Sequence, residues 1–402
     1  MTGFNINSMK DFLNILVVSG LFLFSQSALC NEQIALKTQN SEISANQNNN
    51  GIDMDIQKEL WGKTPDGKEI ILYTLKNANG AYVQLSNIGA AIVSIVVPDK
   101  DGVLGDVVLG YSSAESYVGD GPCCGKVPGR YANRIANGKF TLDGVEYTLP
   151  VNNGPNHLHG GPEGFHTQVW ESREHDGGVE FLYYSEDGEM GYPGNLKVVA
   201  RYDWSEDCEL RLTLTGECDK PTVLNLTNHA YFNLNGEGNG TILDHELQLN
   251  ASEWLPTDST LIPLGESESV AGTPMDFVNA KPIGQDIKAD FPALMYGKGY
   301  DNCWVIDGYE PGQIQTCAEL YSEQSGRVLE VFTTQPGVQV YTGNWLMDSP
   351  MGKNGHKYVD YSGVAIECQN FPDAPNKPDY PSAVLRPGEV YEQAIIFAFS
   401  VR

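Results

Sequence analysis

Short strand-like segments separated by turn residues recur along this chain from about residue 52 to its end. Within "GKFTLDGVEYTLPV", Asp143 and Gly144 separate two alternating runs, a pattern typical of a β-hairpin. No segment there has the periodicity of an amphipathic helix longer than three turns. Other strand-like runs are "EIILYTLKN", "AYVQLSNIG", "LKVVARYDW", "ELRLTLTGE" and "YEQAIIFAFSV". Many short strands with Gly and Pro turns predict an all-β fold, a sandwich or a barrel of unusually large size.

Residues 1–30 have the features of a signal peptide. Lys10 supplies a positive charge, and residues 12–24 form an apolar run that is short for a bilayer span. We expect cleavage after Cys30 and export to a periplasmic or extracellular location. A lipid anchor on Cys30 is the alternative, which Leu29 directly before it disfavours. No membrane span is expected.

Composition limits the functions of the remaining chain. Residues 31–52 are rich in Asn, Gln and Ser and are expected to form a flexible leader, with one domain over residues 53–402. The net charge of −27 disfavours nucleic acid and anionic membranes as partners and favours a neutral ligand. The eight cysteines contain no CxxC pair, which argues against a cysteine-based zinc site. We expect a monomer.

Residues 222–234 alternate in the manner of a half-buried strand. One parity is mostly apolar, and the other is polar: it carries Asn225, Thr227, His229, Tyr231 and Asn233. A polar sheet face with a central histidine suits a binding or catalytic site. A solvated sheet surface with an ordinary histidine is the alternative interpretation.

Two turn-rich segments carry further candidate residues. Residues 129–140 include Asn133 and Arg134, and residues 152–161 include His157 and His159. The two histidines could be metal ligands, but carboxylates are few nearby and no HExxH spacing exists. We therefore expect no metal site.

Two later segments suit sugar chemistry. Gln335, Gln339, Tyr341 and Trp345 share one parity, and sugars need both hydrogen-bonding groups and rings to stack on. An ordinary polar strand face is the alternative. Glu367 lies within the apolar run "GVAIECQ", where burial would raise its pKa and make it a general base near neutral pH. A structural ion pair is the alternative role for Glu367.

Six segments together resemble the aldose 1-epimerase (galactose mutarotase) family, in the order of that family and over about residues 55–402. They are "GRYANRI", "NHLHGG", "LTNHAYFNL", "TPMDF", "TTQPGVQVYTGN" and "IECQNFPDAPN". The resemblance implies one large antiparallel β-sandwich of the galactose mutarotase-like type, with the sugar on a concave sheet face. It also implies that the chain interconverts the α and β anomers of free aldoses such as glucose and galactose, without cofactor or metal.

The resemblance also implies roles for individual residues. His229 matches the general acid of the family and Glu367 its general base. Sugar-binding positions are matched by Asn133, Arg134, His159, Asp276 and Gln339. The segment "GDGPCCGKVPGR", with adjacent Cys123 and Cys124, departs from the family pattern. The alternatives are a carbohydrate-binding or sugar-sensing protein of the same fold without activity, and a hexose-6-phosphate epimerase, which the negative charge disfavours.

Overall fold

A computed structural model of the chain describes residues 54–402. The predicted signal peptide (1–30), the leader (31–52) and the lipid-anchor alternative at Cys30 lie outside these residues. In chain order the strands are β1 (Asp55–Lys63), β2 (Glu69–Lys76), β3 (Tyr82–Ser86), β4 (Ala91–Pro98), β5 (Leu104–Asp106), β6 (Arg134–Ile135), β7 (Lys139–Leu142), β8 (Val145–Thr148), β9 (His157–Leu158), β10 (Glu171–His175), β11 (Gly178–Ser185), β12 (Leu196–Trp204), β13 (Glu209–Cys218), β14 (Thr222–Val223), β15 (Tyr231–Phe232), β16 (Glu246–Leu249), β17 (Glu253–Trp254), β18 (Glu268–Ser269), β19 (Lys281–Pro282), β20 (Asp301–Val305), β21 (Gln315–Tyr321), β22 (Arg327–Thr333), β23 (Gly337–Tyr341), β24 (Val364–Gln369), β25 (Val384–Leu385) and β26 (Tyr391–Val401).

Helix content in the described range is small. The two α-helices are α1 (Ala114–Tyr117) and α2 (Pro292–Gly297). Single 3-10 turns cover Ala136–Gly138, Phe165–Thr167, Glu189–Gly191, Ile283–Gln285, Leu346–Asp348, Lys353–Gly355 and Ala374–Asn376. Neither α-helix has the length and hydropathy required to cross a bilayer. The prediction of an all-β chain is confirmed.

The strands form three larger sheets with antiparallel ladders. The first is a meander in the order β1-β2-β3-β4-β5. The second has nine strands in the order β10-β11-β12-β13-β26-β22-β21-β16-β19, and the third has six in the order β15-β24-β23-β20-β17-β18. Two-stranded ladders join β14 to β25, β6 to β9 and β7 to β8.

One hydrophobic core joins the three larger sheets. Val83 of the five-stranded sheet, Leu329 of the nine-stranded sheet and Ile366 of the six-stranded sheet all belong to it and are fully buried or nearly so. Phe232 and Phe397 bring their rings to 5.1 Å across the two larger sheets. The six-stranded sheet therefore has one face on the core, and its opposite face is available for a site.

The segment 222–234 is not one continuous strand, contrary to the prediction. Only its ends pair as strands, in β14 and β15. Between them the backbone bonds to a neighbouring loop: the N–H of His229 donates to the carbonyl of Lys126 at 2.9 Å, and the carbonyl of His229 accepts from Gly125 at 2.9 Å. The polar parity is buried rather than solvated, with Asn225 and Thr227 fully buried. The interpretation as a solvated surface is therefore wrong.

Candidate active site

A cavity of about 820 Å³ opens above the six-stranded sheet. Polar and apolar groups share its surface, and most of the sequence-predicted residues contribute to it. The lining includes Asn133, Arg134, His159, His229, Tyr231, Asp301, Tyr341, Trp345 and Glu367. Residues from six separate parts of the sequence thus meet at one place.

Glu367 reaches the cavity because of strand alternation. In β24, Val364, Ile366 and Cys368 face the core, so Glu367 projects from the opposite face. Only 2% of Glu367 is exposed, and its Oε2 has no hydrogen-bond partner within residues 54–402. Burial raises the pKa of this carboxyl well above its usual value, and the nearby Asp301 carboxylate raises it further.

His229 faces Glu367 across the cavity floor. Its Nε2 lies 3.6 Å from Oε1 of Glu367, too far for a strong hydrogen bond and close enough for both atoms to contact one small ligand. His229 is 5% exposed, and its ring lies 4.8 Å from that of Tyr231 and 6.1 Å from that of Tyr341. Burial lowers the pKa of His229 to about 4.

These shifts determine how many protons the two groups hold. Burial disfavours both the imidazolium form of His229 and the carboxylate form of Glu367, so it favours a pair that holds one proton, on Glu367, beside a neutral His229. The charged form of the pair, with Glu367 as carboxylate and His229 as imidazolium, holds the same number of protons as the neutral form. The pair can therefore take a proton at one atom and give one at the other with no net exchange with solvent.

Two hydrogen bonds with the backbone of Asn133 orient His159. The N–H of His159 donates to the carbonyl of Asn133 at 3.0 Å, and the N–H of Asn133 donates to Nδ1 of His159 at 3.2 Å. Since Nδ1 accepts, Nε2 carries the hydrogen. Burial and the neighbouring His229 lower the pKa of His159 well below its usual value, so the ring is a neutral donor. The rings of His159 and His229 lie 5.3 Å apart.

Arg134 and Asp301 form the charged wall of the cavity. Nη2 of Arg134 lies 3.4 Å from Oδ2 of Asp301, and Nε of Arg134 donates to Oδ1 of Asn153 at 3.1 Å. The other oxygen of Asp301 accepts from Nε2 of Gln339 at 2.6 Å. Both charged groups are thereby fixed in place with capacity left for a ligand.

Asp301 is a cavity residue that the sequence analysis missed. It begins the buried strand β20, next to β23, and lines the cavity. Its signal in the sequence was an acidic residue at the start of the apolar run "DNCWV". That run belongs to none of the six segments that carry the family resemblance, so the sequence patterns do not identify Asp301 as a site residue.

Asp276 and Gln339 do not line the cavity, contrary to their predicted roles. Asp276 turns into its own loop, where Oδ1 accepts from the N–H of Val278 at 3.2 Å. Asp301, in contrast, lines the cavity. Gln339 lies beneath the surface and contacts the cavity through Asp301. Asn133, Arg134, His159, His229 and Glu367 do meet there.

His157 and His159, the two histidines considered as metal ligands, point to different places in the fold. His157 points to the interior, where Nδ1 contacts the carbonyl of Pro150 at 2.6 Å and Nε2 contacts the hydroxyl of Tyr192 at 2.7 Å. His159, His229 and Glu367 instead place donor atoms within 4.8 Å of one another, a set with the chemistry to hold a divalent ion. The expectation of no metal remains a prediction.

Comparisons with known proteins agree with this geometry. The sequence profile of the family described as Aldose 1-epimerase matches residues 72–398. Galactose mutarotase of Bos taurus is 41% identical over 348 residues, covering 87% of this chain and 99% of that protein. Aldose 1-epimerase of Escherichia coli K12 is 39% identical over 338 residues, covering 83% of this chain and 96% of that protein.

Solved structures show the same fold. An aldose epimerase homologue from C. elegans superimposes with a TM-score of 0.76 at 34% identity, covering 82% of this chain and 98% of its own. Galactose 1-epimerase from Lactobacillus acidophilus gives 0.76 at 29% identity, covering 87% and 99%. The predicted β-sandwich of the galactose mutarotase-like type is therefore confirmed, and the chain belongs to the aldose 1-epimerase family.

Proposed function

We propose that this chain interconverts the α and β anomers of free aldoses, with glucose and galactose as expected substrates. The observation that carries the proposal is the pairing of Glu367 and His229, 3.6 Å apart on the floor of the cavity in a member of this family. A non-catalytic sugar sensor has no need of a buried acid–base pair. No feature of the cavity favours that alternative.

Ring opening of an aldose requires two proton transfers. The anomeric hydroxyl on C1 loses a proton while the ring oxygen O5 gains one, so a base and an acid must contact different atoms of the sugar. We assign Glu367 as the base at the C1 hydroxyl and His229 as the acid at O5. The reactive form is the carboxylate beside the imidazolium, which the bound sugar's polar groups favour over the neutral pair.

Ring closure reverses these roles. After opening, Glu367 is protonated, His229 is neutral, and the open-chain aldehyde can rotate about the C1–C2 bond. Glu367 then returns its proton to the C1 oxygen as His229 takes the proton from O5, and the other anomer forms. Each positioned acid or base contributes a factor of roughly 10²–10⁴ to the rate.

The remaining cavity groups suit the hydroxyls of a neutral sugar. Arg134 and the Nε2–H of His159 donate, and Asp301 accepts. Arg134 is the single Lys or Arg in the lining formed by residues 54–402, and Asp301 already neutralises it. A phosphorylated sugar needs a cluster of cations, so the cavity supports free aldoses rather than hexose phosphates.

An exported location is part of the same proposal. It is supported by the signal-like sequence of residues 1–30, with cleavage after Cys30. The enzyme would then meet sugars before their uptake. Fractionation of cells that produce the full chain, followed by N-terminal sequencing, tests this independently of activity.

Anomer-exchange NMR tests the proposed activity. Freshly dissolved α-galactose or α-glucose should reach anomeric equilibrium faster in proportion to the protein concentration, above the rate in buffer alone. Heat-denatured protein is the control for general acid–base catalysis by the solution. Perturbed sugar resonances without acceleration would contradict the proposal and support a binding protein.

A further inference from the structure

The structure places two buried thiols in contact between the two larger sheets. Sγ of Cys317 and Sγ of Cys368 are 3.7 Å apart, and both residues are fully buried. Cys317 belongs to β21 of the nine-stranded sheet, and Cys368 belongs to β24 of the six-stranded sheet. We propose that Cys317 and Cys368 form an inter-sheet disulfide when the chain folds in oxidising surroundings. This inference does not depend on the proposed activity.

A β-bulge gives Cys317 its position. The pairing of β21 with β22 passes from Thr316 opposite Phe332 to Ala318 opposite Val331, which leaves Cys317 as the extra residue. A bulged residue is released from the ladder register, and bulges commonly redirect a side chain. Here the released side chain points across the sandwich to Cys368. Closing the sulfur–sulfur distance requires thiol rotation and a small shift of this irregular strand.

The covalent chemistry needs an oxidant from the surroundings, which we take to be a low-molecular-weight disulfide. The thiolate of one cysteine attacks this disulfide, forms a mixed disulfide and releases one small thiol. The second cysteine then attacks the mixed disulfide, the Cys317–Cys368 bond forms, and a second small thiol leaves. The two protein sulfurs lose two electrons, the small disulfide gains them, and the two thiol protons pass to the released thiols.

Burial determines when this reaction happens. The pKa of Cys317 is raised well above its usual value, chiefly by burial, so the thiolate is scarce once the sheets have closed. The bond should therefore form while the sheets are still open during folding. Once it is made, the same burial shields it from reductants.

The bond would lie directly behind the proposed catalytic base. Cys368 faces the core and its neighbour Glu367 faces the cavity, so a crosslink at Cys368 anchors the strand that carries Glu367. A disulfide acts mainly by limiting the unfolded chain. We therefore expect it to raise resistance to unfolding and to leave turnover of the folded enzyme nearly unchanged.

Oxidative refolding tests the proposal. The purified full chain is reduced in urea, refolded with reduced and oxidised glutathione, alkylated, digested without reduction and analysed by mass spectrometry. The expected product is a linked peptide pair that contains Cys317 and Cys368, with a urea midpoint above that of protein refolded with reductant. Recovery of both cysteines in alkylated form, or linkage of either to Cys303, would overturn the proposal.

Variants separate the disulfide from general effects of oxidation. Cys317→Ala and Cys368→Ala should each abolish the difference in urea midpoint between oxidised and reduced protein. Cys218→Ala, at the partly exposed end of β13, should keep it. Equal oxidised and reduced midpoints in the wild type would also contradict the proposal, and this comparison needs no variant to fold.

Discussion

Burial acts in opposite directions on the pKa values of the two groups that face each other in the cavity. It raises the pKa of Glu367 and lowers that of His229, because each is destabilised in its charged form. Asp301 and Arg134 also face the pair, and they act on Glu367 with opposite signs. The neutral ring of His159, the hydroxyl-bearing rings of Tyr231 and Tyr341 and the thiol of Cys123 also lie at the cavity.

The pH dependence of activity follows from this pair. Below a pH of about 4, His229 takes up a second proton while Glu367 is still protonated, so the base is lost. At high pH the shared proton leaves, so the acid is lost. We expect a broad plateau of kcat/KM across neutral pH with an acid limb near pH 4, measured by anomer exchange. An acid limb near pH 6.5 would indicate a solvated histidine and contradict the assignment.

Two aspartates provide a matched comparison. Asp301→Asn should lower kcat/KM at least about tenfold, because a charge-assisted hydrogen bond to a sugar hydroxyl contributes about 1.5–3 kcal/mol. Asp276→Asn should behave like the wild type, because its side chain lies away from the cavity lining and accepts a hydrogen bond from Val278 in its own loop. Steady-state kinetics on galactose measure kcat/KM for both variants. A larger loss of kcat/KM in Asp276→Asn than in Asp301→Asn would support the sugar-binding role predicted for Asp276.

At the scale of elements, the cavity is built by loops as much as by strands. Asn225 joins two of these loops from a fully buried position. Its Nδ2 donates to the carbonyls of Ala132 at 3.1 Å and Asn370 at 3.3 Å, and its Oδ1 accepts from the N–H of Asn370 at 2.9 Å. One side chain thus ties the loop before Arg134 to the loop after Glu367.

Loss of this tie should affect both stability and substrate binding. Asn225→Ala leaves buried backbone groups without partners, which costs about 1–3 kcal/mol in the free energy of unfolding. Urea denaturation measures this loss, and kinetics should show a raised KM because Arg134 is less well placed. Asn225→Asp, which keeps the accepting oxygen, should retain part of the stability. An unchanged KM in a destabilised Asn225→Ala protein would limit Asn225 to a structural role.

Local patterns in the sequence predicted the presence of strands better than they predicted where each strand ends and which side chains meet in the folded chain. The alternation around Glu367 placed it on the face opposite the core, as observed. The alternation around His229 gave the burial of that segment incorrectly, because its polar side chains bond to loops distant in sequence. Asp276 and Asp301 could not be distinguished by pattern, since the choice depends on which of them the tertiary fold brings to Arg134.

At the scale of the whole molecule, several histidines are held neutral inside a strongly acidic protein. The net charge is −27, and His157, His166 and His245 are among the groups whose pKa burial lowers. Outside the site, His157 is fully buried between the carbonyl of Pro150 and the hydroxyl of Tyr192. As the pH falls, these histidines take up protons more readily in the unfolded chain than in the folded one. The free energy of unfolding should therefore decrease before the pH is low enough to neutralise the carboxylates.

His157 supplies a specific test of that acid sensitivity. Its pKa is about 4 in the folded protein against 6.5 in the unfolded chain. The stabilisation is complete above pH 6.5 and is lost as the pH falls from 6.5 towards 4, by up to roughly 3 kcal/mol. Urea midpoints at pH 7 and pH 4.5 should therefore differ less in His157→Gln than in the wild type. Equal pH sensitivity of the two proteins would contradict this account.

The most direct test of the central claim is anomer exchange by Glu367→Gln. Gln keeps the size of Glu367 and its place in β24 but cannot accept the proton of the C1 hydroxyl at neutral pH. We predict a fall in turnover of roughly 10²–10⁴-fold, with galactose still bound in titrations followed by NMR. Turnover near the wild-type rate in a folded, sugar-binding Glu367→Gln protein would show that Glu367 is not the base.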